Sequence, residues 1–174
     1  MIQNRRISDF DDVTKMAKES DDAGVRQFVS FVVGDQHYCI DIMAVREIKA
    51  WTGTTALPNS PAHIRGVINL RGVIVPVIDL RKRFGQDFTE PTPAHVIVIV
   101  AIGDTQSGLL VDGVSDIVTV HRKDIAPIPN MEGEDQNPFF QGLITGQEKL
   151  MAVIALDQLA AQRVGGQDTS SAAA

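Results

Sequence analysis

A chain of 174 residues, 44% of them apolar, has material for one ordinary domain or two very small ones sharing a core, and it excludes a long multidomain enzyme. The formal net charge of −6 argues against a protein whose main business is neutralising phosphates, because such domains are usually basic. The single cysteine, Cys39, has no partner for an internal disulfide; within Tyr38-Cys39-Ile40 it reads as a small buried hydrophobe in a reducing compartment.

The chain opens on Met1-Ile2-Gln3-Asn4-Arg5-Arg6 and then turns polar and acidic, without the apolar segment of a secretory signal, so a chain that is not exported is expected. Asp9, Asp11, Asp12, Glu19, Asp21 and Asp22 make residues 1–25 a predicted mobile acidic arm. Ile7, Phe10, Val13 and Met16, behind a Ser8 or Asp9 cap, would form at most a marginal amphipathic helix there.

From Phe28 onward, short valine and isoleucine runs are punctuated by glycine and proline, the pattern of an all-β barrel or sandwich. Strands are predicted at Phe28–Val33, Tyr38–Ile42, Glu47–Trp51, Val67–Leu70, Val73–Ile78, Val96–Ile102, Ser107–Val111, Ile117–Val120, Gly142–Thr145 and Leu150–Ile154. Gly34-Asp35 and Gly103-Asp104 supply hairpin turns. Asn59-Ser60-Pro61 reads as a short helix start, with Ser60 as cap and Pro61 in the first turn. The apolar runs at Val73–Ile78 and Val96–Ile102 are far shorter than the ~20 residues that cross a bilayer as a helix, so no direct membrane insertion is expected. Beyond residue 160, Gly165-Gly166-Gln167-Asp168-Thr169-Ser170-Ser171 and three alanines make 161–174 a predicted disordered tail.

Two halves of the chain repeat one another. Gly34 and Gly103 lie 69 positions apart, and the same offset aligns Val29 with Val98, Asp35 with Asp104, Val45 with Val114 and Ile48 with Ile117. Further on the offset becomes 76, pairing Gly66 with Gly142, Ile68 with Ile144 and Val77 with Val153, the extra residues falling around Asn130–Asn137. The repeats cover about 28–85 and 92–158, and each is too small to bury a sufficient core alone.

One pair of corresponding loops is conspicuously unlike between the repeats. Asn69-Leu70-Arg71-Gly72-Val73-Ile74-Val75-Pro76 answers to Thr145-Gly146-Gln147-Glu148-Lys149-Leu150-Met151-Ala152. Gly72 can take positive φ at a tight turn and so project Arg71 from a hairpin tip. Because Gln147 serves in the second copy, the turn itself does not require an arginine, which favours a functional reading of Arg71. Pro76 cannot donate to a ladder and is expected on an edge strand, with Val73, Ile74 and Val75 as a docking surface.

Catalytic constellations are absent from the sequence. His37, His63, His95 and His121 sit in different predicted elements without metal-ligand or Cys–His spacing. Asp112, Asp116 and Glu47 lack a base partner or phosphate loop, and no G-x-G-x-x-G string occurs. No metal and no cofactor are expected, and the chain reads as no enzyme.

The strings Gly34-Asp35…Tyr38…Ile40-Asp41-Ile42…Val45-Arg46-Glu47-Ile48, Pro61-Ala62…Ile64…Gly66-Val67, the unbroken Asn69 to Arg81 run, and Val111-Asp112-Gly113-Val114-Ser115-Asp116 together resemble the CheW family of bacterial chemotaxis coupling proteins. The resemblance spans nearly all of residues 26–160. It implies an all-β domain of two interlocked five-stranded Src-homology-3-like barrels, with short helical turns and a short C-terminal helix. It also implies a cytoplasmic adaptor recruited to membrane-associated receptor arrays, with two partners: the cytoplasmic tip of a methyl-accepting chemoreceptor and the regulatory domain of a CheA-type histidine kinase. On matching positions, Glu47, Arg71, Val96, Gly108 and Ile117 correspond to the receptor-binding groove, and Val45, Gly66 and Gly142 to kinase binding. The alternative, a small-barrel nucleic-acid-binding module, would need a basic stripe with stacking aromatics. Trp51 stands alone and Phe139-Phe140 has no nearby cations in sequence, so nucleic acid is not expected as a partner.

Overall fold

The computed structural model describes residues 24–129, 138–146 and 149–159; the acidic arm up to residue 23, the loop around Asn130–Asn137, Gln147, Glu148 and the tail at 161–174 lie outside them. The described residues form β1 (Val25–Val33), β2 (Gln36–Asp41), β3 (Val45–Ala50), β4 (Ile64–Leu70), β5 (Val73–Asp79), α1 (Leu80–Arg83), β6 (Val96–Ile102), β7 (Thr105–Val111), β8 (Gly113–His121), β9 (Ile125–Ala126), β10 (Phe140–Thr145) and β11 (Leu150–Ile154). Residues 156–159 begin a helix at the C-terminal side.

Ten of these strands fall where the β-branched runs predict them. β9 escapes prediction, since two residues carry no periodicity. Its counterpart in the other repeat is a lone bridge, Thr55 to Val67. Three hairpins close through two-residue turns: Gly34-Asp35, Gly103-Asp104, and Arg71-Gly72, whose φ values of 52° and 87° place both turn residues in the left-handed region that two-residue hairpins favour.

One sheet runs β8-β1-β2-β11-β10-β9 and the other β3-β6-β7-β5-β4. Each therefore mixes the repeats. The first hairpin of repeat one, β1–β2, joins the last four strands of repeat two, while the first hairpin of repeat two, β6–β7, joins β3, β4 and β5. The sequence repeats 28–85 and 92–158 are thus not the units of the sheets. The parallel joins are β11 on β2 and β5 on β7.

The uninterrupted apolar runs follow from burial on both faces of these strands, one toward the core between the sheets and one toward the interior of a sheet. Along β6, Val96, Val98, Val100 and Ile102 point into a core shared by the two sheets, and Ile97 and Ile99 into the interior of the five-stranded sheet. Along β1, Val29, Phe31 and Val33 enter the shared core, while Phe28 enters the interior of the six-stranded sheet with Cys39, Ile144 and Val153. Each such side chain contributes about 1.5–3 kcal/mol when fully buried. The shared core is the largest of the three, and it binds the two sheets into one unit.

The chain crosses between sheets at two related points. At the first, the Asp41 carboxylate accepts from Met43 N at 2.9 Å and starts a 3-10 turn at Ile42–Ala44. At the second, Asp112 follows β7, its Oδ2 accepting from Gly34 N at 2.8 Å and Arg81 NH2 at 2.7 Å, with His95 Nε2 at 3.3 Å from Oδ1. The Asp112 hydrogen bond raises the Arg81 pKa. Nearby, fully buried Asp79 accepts from Thr89 N at 2.8 Å and Thr89 Oγ1 at 2.7 Å, which pins the linker between α1 and β6. At the corresponding place in the other half, Met43 replaces Asp112, Ala155 replaces Asp79 and Asp157 replaces Arg81; there a hollow of about 730 Å³ remains open.

Two local expectations are corrected. Ser60 caps no helix: its hydroxyl donates to Leu57 O at 3.0 Å, and Pro61 O accepts only a single turn bond from Ile64 N at 3.0 Å. Pro76 does not place β5 at the edge of its sheet, because β5 lies between β4 and β7. Its effect is confined to half the strand. The β7 ladder begins only at Val77 opposite Gly108, whereas in the other sheet the equivalent ladder begins earlier, at Met151 opposite His37. Ala152 keeps the N–H that Pro76 lacks.

Candidate functional site: the β4–β5 hairpin and its surroundings

The hairpin that distinguishes the two repeats is rigid and projects. Asn69 Oδ1 accepts from Gly72 N at 2.8 Å across the turn, an Asx-type bond that holds the loop. Arg71 stands at the tip with its side chain 79% exposed. Its NH1 lies 3.3 Å from Glu47 Oε2 on β3, and the other oxygen of Glu47 lies 3.6 Å from Lys49 Nζ. One carboxylate thus faces two cations. On the following residues Val73 and Ile74 are 53% and 62% exposed. Where the β5–β7 ladder stops short at Pro76, a groove of about 540 Å³ opens between Val73, Ile74 and Pro76 on one wall and Asp104–Ser107 on the other.

The remaining sequence-assigned positions sit differently. Val45 and Val96 are buried in the shared core. Gly108 lies inside the five-stranded sheet, where an added Cβ would approach Ile97 Cγ2 to 2.8 Å. Ile117 pairs with Val29 and packs half-buried against the shared core. Gly66 and Gly142 occupy equivalent points in opposite sheets, where β4 and β10 pass the short closing segments at Thr55 and Ile125–Ala126. At Gly66, with φ of 149°, a Cβ would overlap the Thr55 carbonyl oxygen and lie 2.9 Å from Thr54 Oγ1. At Gly142 it would meet Ile125 Cγ2 at 2.8 Å. Of the eight positions, the structure brings Glu47 and Arg71 into contact; Val45, Val96 and the three glycines are packing positions. Sequence reasoning missed Lys49, although its place two residues after Glu47 on a strand was a signal that both side chains share a face.

The aromatic residues are mostly used internally. Tyr38 stacks on Phe140 at 5.6 Å between ring centroids and contacts Phe84 at 5.1 Å, which in turn contacts Phe139 at 5.9 Å. Trp51 packs against the inner core of the five-stranded sheet. Among the described residues, no group of three or more His, Cys, Asp or Glu side chains is arranged to hold a metal ion, and no helix is long and apolar enough to cross a membrane.

The model of the CheW-like domain matches residues 27–164. The chain belongs to the CheW-like domain family. A Rhizobium meliloti protein named Chemotaxis protein CheW is 41% identical over 147 residues, covering 84% of this chain and 94% of the relative. Its Bacillus subtilis namesake is 34% identical over 128 residues, covering 74% and 82%. Among solved structures, the scaffolding protein TtCheW from Thermoanaerobacter tengcongensis superposes with a TM-score of 0.71 at 34% identity, covering 77% of this chain and 91% of that one. The CheW-like fold accounts for the paired Src-homology-3-like architecture expected from sequence. Within it, the Arg71 hairpin is a part of repeat one that repeat two does not reproduce.

Proposed function

We propose that the chain is a non-catalytic chemotaxis adaptor that couples chemoreceptors to a CheA-type histidine kinase. The observation that carries this reading is the rigid hairpin presenting an exposed guanidinium and an exposed apolar pair side by side, on a domain whose family is shared with chemotaxis scaffolds. Arg71, with Glu47 beside it, takes the charged contact with the cytoplasmic tip of a methyl-accepting chemoreceptor. Val73 and Ile74, with the half-free strand edge beside them, take the kinase regulatory domain. With its side chain 79% exposed, the Arg71 guanidinium is open to a partner. Val45, Val96, Gly66, Gly108, Ile117 and Gly142 serve these contacts by shaping the strands behind the surface. Such an adaptor needs no cofactor and no turnover; it acts by contacting two kinase states unequally. It works in the cytoplasm at receptor arrays, with no contact to nucleic acid.

The test separates the two faces. Arg71→Glu is expected to weaken binding of a purified chemoreceptor cytoplasmic fragment by about tenfold or more, since it brings like charges together, while kinase binding is kept. Ile74→Asp is expected to do the reverse. Receptor binding by Arg71→Glu at wild-type strength, with the variant folded, would discard the assignment.

A further inference from the structure

The Glu47 carboxylate has more counter-charge than it needs. Its side chain is only 19% exposed, and its two oxygens are divided between Arg71 at 3.3 Å and Lys49 at 3.6 Å. Arg71 is the cation with most room: its side chain is 79% exposed, whereas that of Lys49 is 37% exposed. A guanidinium carries five N–H donors in a planar fork, and the contact with Glu47 engages one nitrogen. The rest point from a turn whose backbone is locked by the Asn69 side chain. Such a group is built to take a carboxylate in two-point fashion.

Taking it has a consequence for Glu47. If Arg71 were its sole counter-charge, drawing the guanidinium onto a partner's carboxylate would leave a largely buried acid unpaired, which is costly. With Lys49 in place Glu47 keeps a cation, and Arg71 can leave cheaply. We propose that Lys49 is a positioning residue for partner capture: it holds Glu47 so that Arg71 is free to bind a carboxylate on the docking protein. The inference rests on the reading of Arg71 as the receptor contact and names the chemistry that contact requires, an acidic side chain on the receptor fragment.

Repeat two supports the assignment by contrast. At the positions aligned with Glu47 and Lys49 by the internal repeat it carries Asp116 and Val118, so the acid is kept and the second cation is not. Val118 instead packs against the interior core of its sheet. The lysine accompanies the arginine hairpin and is dispensable where that hairpin is missing.

Binding of the purified chemoreceptor cytoplasmic fragment to the full chain, by titration calorimetry at several salt concentrations, tests the proposal. Lys49→Met is expected to weaken binding about three- to tenfold with the thermal midpoint unchanged, and Lys49→Arg to restore it. In a Glu47→Gln background no acid remains to be held, so adding Lys49→Met should change affinity by less than about twofold. An equal loss in both backgrounds would mean that Lys49 acts as a direct contact or through the general field, and overturns the proposal, as does wild-type binding by Lys49→Met alone. Arg71→Glu distinguishes the two levels: if it binds normally the receptor reading itself falls, whereas if it fails to bind and Lys49→Met does not, only the role of Lys49 is lost.

Discussion

Replacing Gly66 by alanine is expected to destabilise the fold by about 2–5 kcal/mol, and replacing its repeat-mate Gly142 by less, about 1–2 kcal/mol. The difference follows from what each new methyl meets. Gly66 has φ of 149°, a region that side-chain-bearing residues rarely occupy, at a cost of roughly 1–3 kcal/mol. Its Cβ would also overlap the carbonyl of Thr55, and that segment is held by two backbone bonds with Val67, at 2.9 and 2.8 Å. Shifting it sacrifices one or both, at about 1 kcal/mol each. Gly142 has no positive φ, and its Cβ meets a side-chain methyl of Ile125 at 2.8 Å and the Ala126 carbonyl at 3.2 Å. Relief there needs a small shift of the Ile125 side chain and a slight give of the Ala126 carbonyl, with no left-handed backbone strain added, so the cost is that of overpacking. Urea unfolding of both full-length variants measures the gap, provided the denaturant slope stays constant. Equal losses, or a larger loss at Gly142, would refute the argument that backbone collision dominates. The same pair bears on the kinase: if these glycines act through shape, binding of the kinase regulatory domain should fall further for Gly66→Ala than for Gly142→Ala.

Cys39 gives a pH-dependent prediction. Burial pushes its thiol pKa up to about 12 from an ordinary 9.0, with Arg26 opposing slightly, so the thiol favours the folded state below pH 9 and that contribution is lost as pH rises from about 9 to about 12. The wild-type stability curve should fall more steeply over that window than that of Cys39→Ala, and superimposable slopes would refute the shift; a thiol reagent at pH 8 should label the native protein only as it unfolds. Because each sheet needs strands from both repeats, fragments 24–88 and 89–174 expressed separately should each lack cooperative unfolding, and mixing them should restore it. A sharp thermal transition in either fragment alone would count against the hairpin exchange.

What could be read from the sequence depended on whether the signal was local. The runs Val73–Ile78 and Val96–Ile102 announce strands because β-branched residues pack well on pleated surfaces, and Arg71-Gly72 announces a tight turn because glycine tolerates positive φ. The position of Pro76 was legible only in part. Its missing N–H does end a ladder, but where that ladder lies depends on β7, contributed by the other repeat. β9 and the Thr55 bridge were illegible because their pairing partners, Leu143 and Ile144 for β9 and Val67 for Thr55, lie well along the chain. Glu47 and Arg71 were nominated together only through the family resemblance; that Lys49 completes the group depends on β3 and the β4–β5 hairpin lying together in three dimensions.

Hairpin exchange is itself invisible to a repeat. An exchanged and an unexchanged arrangement of the same two units present identical patterns of alternation, since every strand keeps its neighbour types. What tips the balance is the pair of crossings. Asp41 starts the 3-10 turn that carries β2 over to β3, and Asp112 ties the β1–β2 turn of one repeat to α1 of the same repeat from its seat in the other. Each crossing carries a short acid that accepts a backbone N–H: that of Met43 in its own turn for Asp41, and that of Gly34 in the distant β1–β2 turn for Asp112. The exchange also shapes the proposed docking groove. The groove beside Ile74 has one wall from β5 of repeat one and the other from the β6–β7 hairpin of repeat two, so a partner seated there would contact both repeats at once. A contact of that kind can bias the arrangement of the whole domain, which an adaptor passing a conformational signal between two other proteins requires.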